Sequence, residues 1–468
     1  MLLTRLLPGL LLVSGAFAAD PDLEGAQRLF TAWMEGQITS KGLPGVVVGV
    51  VADQELVWAK GFGYADIAGK RPMAPSTQFR MASHSKLFTA TAIMQLREQG
   101  KVRLDDPVVR YLPWFQVKPA AADDPPITVE DLLMHGSGLP REAGSHWSTL
   151  QFPTAQDLKS LMPERQAAFS PEARWKYSNL AYTIAGMIVE AVSGETWAGY
   201  LQNHIFNPLG MAASSVDKPV GGLAVGYGRR MPDGSRAIMP FVDAKGMAPA
   251  TGLTSTVEDM ARFVSAQFRR GKMGGAQLLS TGSLREMHRV RMLETNWTQG
   301  YAVGFSVRRE KDKLYVGHGG SYPGYMTQTY FRPDDKLGVI VLTNAQDAAP
   351  AEIAMQLMGS VGEAIAKARK TPAATVPWDP AWSRFAGIYR NRFGDTQVVE
   401  LNQQLVVLTL GGPTLENPLK LTPLGGGRFR LDGPTGGAAV GEPVHFVEVE
   451  GRVARMITGD SFADRVPQ

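Results

Sequence analysis

Apolar positions recur at helical spacing from Leu23 to Ile38, and the pattern then changes. Val46–Val51 and Glu55–Lys60 are short, β-branched runs separated by a turn, and they predict a β-hairpin. From about His84 to His288 helical patterns dominate, broken by loops rich in Gly and Pro. Strand signals return at Tyr301–Arg308, Lys313–Val316, Tyr325–Phe331 and Leu337–Leu342, and Glu352–Lys370 is helical again. Strands from both ends of a segment with helices between them predict an α/β fold: a sheet flanked by helices, with a helical insertion.

Residues 371–380 carry Pro372, Pro377 and Pro380, which stop a helix and suit a linker. Beyond them the period is two. Val398–Leu401, Leu405–Leu410, Arg428–Leu431, Val444–Val449 and Val453–Ile457 alternate, with Gly411-Gly412 and Gly425–Gly427 as punctuation. That pattern predicts a small all-β barrel or sandwich over 381–468.

At the other end, Arg5 is the only charge in the first eighteen residues. It precedes an apolar stretch to Phe17, and Ala16-Phe17-Ala18 is a small-x-small cleavage pattern. This predicts a signal peptide over 1–18, a large body over 19–370, and a periplasmic or secreted protein without a later transmembrane anchor.

Composition narrows the chemistry. The 468 residues contain no cysteine, which excludes disulfides, thiol catalysis and Cys-bound metal. The formal charge of +4 is small for this length, and no long basic run exists, so a nucleic-acid partner is not expected. No two of the seven histidines stand at ligand spacing with a carboxylate, so neither a metal nor another cofactor is expected.

Three short motifs remain. In Ser83-His84-Ser85-Lys86 the first and last residues share a helix face, ahead of a run to Gln99 that is apolar on most sides. A helix start and burial both disfavour protonated Lys86, as a proton acceptor near neutral pH requires. Ser215-Val216-Asp217-Lys218 has the same spacing but leads into a Pro/Gly stretch, and reads as surface. Tyr177-Ser178-Asn179 opens the apolar run Leu180–Val192 and offers a phenol and a carboxamide on one side of an extended segment. His318-Gly319-Gly320-Ser321 ends a strand, where paired glycines allow a ligand close to the backbone.

In this order the motifs resemble those of the serine β-lactamase and penicillin-binding protein superfamily, in the branch of class C β-lactamases, D-aminopeptidases and related esterases. Leu104–Pro107, Leu132–Pro140 and Gly252–Thr256 agree, and the resemblance spans about residues 22–368. It implies a serine hydrolase that cleaves an amide or ester, in which Ser83 is the acylated nucleophile and Lys86 its proton partner. Tyr177 would share acid–base duty, and Asn179 would orient Lys86 and the substrate. The backbone N–H groups of Ser83 and Ser321 would form the oxyanion hole. His84 is expected at the cleft rim or in a structural place, Ser85 inside the helix, and His135 as a loop-fixing residue.

Where β-lactamases of this family carry Lys-Thr-Gly, this chain has His318-Gly319-Gly320. An ordinary histidine titrates near pH 6.5, so carboxylate recognition through His318 is expected to be weak and pH-dependent. The C-terminal region resembles a lipocalin-like barrel, with Phe385–Tyr389 as a first strand. A β-lactamase or D,D-carboxypeptidase, a penicillin-binding sensor and a non-catalytic envelope protein stay open as alternatives, as does the oligomeric state.

Overall fold

The computed structural model describes residues 21–269, 276–310, 312–369, 376–410, 419–433 and 439–467. The signal-peptide segment 1–18 and residues 371–375 of the 371–380 linker lie outside these residues. Two compact units emerge, Met1–Arg369 and Lys370–Gln468.

The first unit is built on a nine-stranded antiparallel sheet. Its strands are β1 (Gly45–Ala52), β2 (Glu55–Asp66), β3 (Arg71–Pro72), β7 (Met292–Leu293), β8 (Gln299–Tyr301), β9 (Ser306–Glu310), β10 (Lys313–Tyr322), β11 (Tyr325–Arg332) and β12 (Leu337–Thr343). They lie in the order β3-β2-β1-β12-β11-β10-β9-β8-β7, so the chain's ends meet at the β1–β12 pair, where Val46 faces Thr343. Three further strands, β4 (Phe79–Ala82), β5 (Ser215–Val216) and β6 (Leu253–Ser255), form a small sheet in the order β4-β6-β5. The sequence pattern had shown no strand there, because strands of two to four residues are too short to establish a period.

Strand β1 is apolar throughout because it is buried on both faces. Val47 and Val51 pack into the core beneath the helical layer, and Val46, Val48 and Val50 into a second core under the terminal helices, with Phe30, Ile353 and Leu357. Gly49 interrupts the valines for a steric reason. A Cβ there would come within 2.4 Å of Val257 Cγ1, on the helix Val257–Gln267 that crosses this face.

Three elements of the helical layer matter for the site: α1 (Ser85–Glu98), α2 (Asn179–Ser193) and α3 (Ala248–Thr251). All are apolar on nearly every side because they lie inside the layer. Helix α2 approaches α3 at Gly186, where a Cβ would stand 2.2 Å from Pro249 Cγ. No helix among the described residues is long and apolar enough to cross a membrane.

The second unit is a closed eight-stranded barrel, β13–β20: Gly387–Asn391, Gly394–Glu400, Leu405–Thr409, Leu419–Gly425, Arg428–Asp432, Pro443–Val449, Arg452–Thr458 and Ser461–Arg465. Alternate residues such as Val398, Leu421, Phe429 and Met456 fill it. The first strand starts at Gly387, two residues later than Phe385. Pro380–Phe385 is a 3-10 turn whose Trp382 and Phe385 pack on Phe429 and Phe446. Strands β16 and β20 carry weaker alternation and were not apparent in the sequence.

The close α2–α3 contact yields a stability test. Gly186→Val should cost about 1–3 kcal/mol through overpacking, read as a lower denaturant midpoint for the first unit. Gly36→Ala, in the exposed middle of the helix Pro21–Lys41 with nothing within 4 Å, should instead gain about 0.5–1 kcal/mol. A tolerated Gly186→Val would show that the α2–α3 approach is not tight.

Candidate active site

Ser83 lies in the turn from β4 into α1. The turn is strained: Ala82 has φ of +49°, in the left-handed region that alanine rarely occupies. Local bonds over-determine it. Ser85 Oγ donates to the Ala82 carbonyl at 2.8 Å and accepts from the Leu253 N–H at 2.9 Å, tying the turn to β6. His84 Nδ1 donates to the Met81 carbonyl at 3.1 Å, and its Nε2 accepts from Thr329 Oγ1 at 2.9 Å. His84 is therefore a fully buried structural residue rather than a rim residue, and Ser85 is a pin inside the helix start.

One helical turn on, Lys86 is entirely buried. Its Nζ donates to Asn179 Oδ1 at 2.7 Å, to the Ala250 carbonyl at 2.9 Å and to Ser83 Oγ at 3.2 Å. Three acceptors thus match the three donors of an ammonium. Tyr177 Oη donates to Ser83 Oγ at 2.8 Å. Once Lys86 loses a proton, its lone pair faces Ser83 Oγ, and the serine hydroxyl can donate to it while Tyr177 still donates to the serine. The same four groups satisfy both protonation states.

Burial pushes the Lys86 pKa well below the usual lysine value. The Glu142 carboxylate opposes the shift and the Arg141 guanidinium adds to it. Tyr177 moves the other way, upward, chiefly because burial disfavours a phenolate; its hydrogen bond to Ser83 and the nearby Arg141 charge offset only part of this. Lys86 Nζ also lies 4.9 Å from the Tyr177 ring centroid.

Tyr177 and Asn179 reach the site from the entry to α2. Ser178 is the N-cap, its Oγ accepting from the Ala181 N–H at 3.0 Å. Tyr177 precedes this cap, whereas Asn179 is the first helical residue. His135, at φ of +58°, accepts from the Ser178 N–H at 3.1 Å through Nδ1 and stacks against Tyr177 with ring centroids 4.3 Å apart. It holds the Tyr177 loop in place.

Gly320 brings β10 against the nucleophile turn: a Cβ there would stand 2.4 Å from the Met81 carbonyl oxygen. Tyr322, Gly320 and His318 pair with Tyr325, Thr327 and Thr329 of β11 across a two-residue turn, while β9 ends opposite Gly317. By the alternation of an antiparallel ladder, the Ser321 N–H then points away from β11 toward an edge that β9 leaves open.

His318 corrects an expectation. It is buried, its Nδ1 donates to the Gly319 carbonyl, and its Nε2 accepts from Tyr301 Oη at 2.9 Å. Burial, the Lys86 charge and His84 push its pKa down to about 3. It stays neutral in mildly acidic solution, so it provides no cation and no titration near pH 6.5 for a substrate carboxylate.

Glu142, His146 and Ala250 escaped the sequence reading. Asn179 Nδ2 donates to Glu142 Oε1 at 2.5 Å, and Glu142 Oε2 faces His146 Nε2 at 3.0 Å. The i, i+4 spacing of Glu142 and His146 was the available signal. The Ala250 carbonyl, a backbone group, left none. Ser215 lies on β5, where its Oγ donates to the Lys218 carbonyl. Among the described residues no group of three or more metal-ligating side chains occurs.

A large antiparallel sheet under a helical layer, with Ser-x-x-Lys at a helix start, defines a β-lactamase-like fold of the serine hydrolase class. A family model described as Beta-lactamase matches residues 27–361, and the chain belongs to that family. It is 27% identical over 411 residues to penicillin-binding protein 4* of Bacillus subtilis strain 168, covering 81% of this chain and 85% of that protein. To the putative penicillin-binding protein PbpX of the same strain it is 30% identical over 304 residues, 64% of this chain and 70% of that one. Among solved structures, the octameric penicillin-binding protein homologue from Pyrococcus abyssi superposes with a TM-score of 0.63 at 25% identity, covering 93% of this chain and 99% of that one. A D-stereospecific amidohydrolase from Streptomyces sp. shares the fold, with a TM-score of 0.60 at 22% identity over 72% of this chain and 98% of that one.

The buried histidines set an acid sensitivity. Burial, partly opposed by the Met81 carbonyl and added to by Lys86, lowers His84 to about 4; His318 falls to about 3, and His135 moves the same way through burial. Unfolding restores values near 6.5, so the unfolded chain binds more protons below that pH. The histidine contribution should be flat above pH 7, where the lowered Lys86 pKa still makes stability rise toward the unfolded lysine value of about 10.4. Stability should fall between pH 6.5 and 4, by about 1.4 kcal/mol per pH unit for each histidine. Urea titrations across that range check it, and His318→Asn should reduce the slope by one proton. A slope unchanged in His318→Asn would mean that His318 is protonated in the folded protein.

Proposed function

We propose that this protein is an exported serine hydrolase that cleaves an amide or ester through an acyl-enzyme on Ser83. The observation that carries this reading is the placement of Ser83 Oγ between Tyr177 Oη at 2.8 Å and the buried Lys86 Nζ at 3.2 Å. Lys86, its pKa lowered, takes the Ser83 proton as Oγ attacks the carbonyl carbon. The oxyanion that forms is held by the Ser83 and Ser321 N–H groups, a contribution worth about 10²–10³ in rate per donor in other hydrolases. The proton passes through the Lys86–Tyr177 pair to the leaving amine or alcohol. Water then attacks the ester, and the same groups run in reverse. Asn179 fixes the Lys86 ammonium and offers its carboxamide to the substrate. The apolar pattern of residues 1–18 supports export.

A β-lactamase or D,D-carboxypeptidase is the second reading. The names of the Bacillus subtilis relatives favour it, and the neutral, buried His318 weighs against it.

A fluorophosphonate probe should add its mass to the peptide containing Ser83 and not to Ser83→Ala, and wild type should turn over an activated ester many times. One labelling event without turnover would instead indicate a binding protein. Lys86→Ala should lose about 10²–10⁴-fold in kcat/KM as a lost general base; near-wild-type activity would remove Lys86 from the mechanism. Because only deprotonated Lys86 accepts a proton, kcat/KM should rise with pH through its titration. With Tyr177 raised, no descending limb should follow below pH 10. A bell with both limbs below that pH would contradict these roles.

A further inference from the structure

On the hydrolase reading above, we propose that Arg141 determines specificity by anchoring a carboxylate on the leaving-group side of the scissile bond. The backbone of Arg141 is fixed to the catalytic helix, since its carbonyl accepts from the N–H groups of Asn179 at 2.9 Å and Leu180 at 3.3 Å. Its guanidinium lies over the Tyr177 ring, with Cζ 5.5 Å from the centroid, and the side chain is 68% exposed. Among the described residues its one side-chain hydrogen bond joins Nε to Glu142 Oε1 at 3.3 Å. That carboxylate is already committed to Asn179 and His146. Neither Nη group has a hydrogen-bond partner among the described residues, which leaves a bidentate fork for a carboxylate.

Other groups that could carry charge near the nucleophile are spoken for. Lys86 is buried with three acceptors, and His318 is neutral between Tyr301 and Gly319. Arg174 sits over Phe169, 4.4 Å from its centroid. Arg141 therefore provides a permanent positive charge beside Tyr177, the group that hands a proton to the departing atom. A carboxylate within reach of that charge belongs to the leaving group, as in a peptide cleaved next to its C-terminal residue or an ester of a hydroxy or thiol acid.

The test uses the full-length protein and two thioesters of N-benzoylglycine, one with an S-carboxymethyl and one with an S-carbamoylmethyl leaving group. They differ by a single charge. In wild type the anionic ester should have the lower KM, and raising salt should narrow the difference. Arg141→Gln should raise the ratio of anionic to neutral KM about tenfold, as loss of a charge-assisted pair predicts. Arg141→Glu should raise it further, and Arg141→Lys should recover part of it. A ratio unchanged in both Arg141→Gln and Arg141→Glu overturns the assignment. So does an equal fall in kcat for both esters at constant ratio, which would leave Arg141 only a packing role on Tyr177. Wild type that cleaves neither ester would overturn the Ser83 hydrolase reading and this inference together; turnover with an unchanged ratio overturns this inference alone.

Discussion

A lysine head group with no exposure is the constraint on which the hydrolase unit is arranged. Removing an ammonium from water costs several kcal/mol unless its donors are met, and Lys86 meets its three acceptors on three different elements. Ser83 belongs to the β4–α1 turn, Asn179 to the first turn of α2, and Ala250 to α3. Each must arrive within about 3 Å of one nitrogen. The packing around it follows from that demand. Gly186 lets α2 settle against Pro249, the neighbour of Ala250, and Ser178 caps α2 at the residue that places Asn179. The left-handed Ala82 turns the chain from strand to helix where Ser83 must stand.

The residual cost of this burial is what makes the site reactive. A lysine in water holds its proton too firmly to accept one from serine; here desolvation loosens it, and Glu142, acting across Asn179, limits the shift. The surrounding aromatic groups keep the pocket free of competing charge. His84, His135 and His318 are all buried in their neutral forms, each fixed in tautomer by a carbonyl, hydroxyl or backbone N–H partner. Three imidazoles that would carry charge in water thus serve as shape and as polar partners. Their depressed pKa values are the cost of filling a catalytic wall with groups that must hydrogen-bond but not ionise.

The legibility of the parts follows the same physics. The Ser83–Lys86 pair could be read because helical spacing fixes which side chains share a face, and the apolar run behind it announced burial. Tyr177 and Asn179 were found as neighbours in sequence, on either side of the cap that starts α2. Strands β1 and β12 declared themselves by composition, since strands buried on both faces must be apolar, and β2, β10 and β11 by their β-branched and aromatic residues. The β4-β6-β5 sheet did not, and neither did β16 and β20, where short length or mixed polarity leaves no period. His318 was misjudged for a related reason. Its residue type indicates a titratable group, but its charge is set by what packs on it, and Tyr301, Lys86 and His84 come from elsewhere in the chain.

Chemistry and selectivity are therefore written differently in this protein. Proton transfer needs groups held within hydrogen-bond distance, and rigid elements with fixed periods achieve that, so the reacting residues leave a spacing in the sequence. Recognition of the rest of a substrate needs only charge and surface at the cleft, which loops can deliver from any separation. Glu142 and Arg141 lie in one such loop, after Leu132–Pro140, with His146 opening the short helix His146–Thr149, and they connect to the reacting groups through Asn179 and the Tyr177 ring. A change of the exposed Arg141 side chain can alter what is bound while leaving the Lys86 acceptors in place, whereas a change of Glu142 reaches Asn179. A change in α1, α2 or α3 disturbs the ammonium first. The fold thus separates a tightly packed helical layer from an exposed cleft edge, and on the proposed mechanism such a division would let one proton-transfer geometry serve different amides and esters.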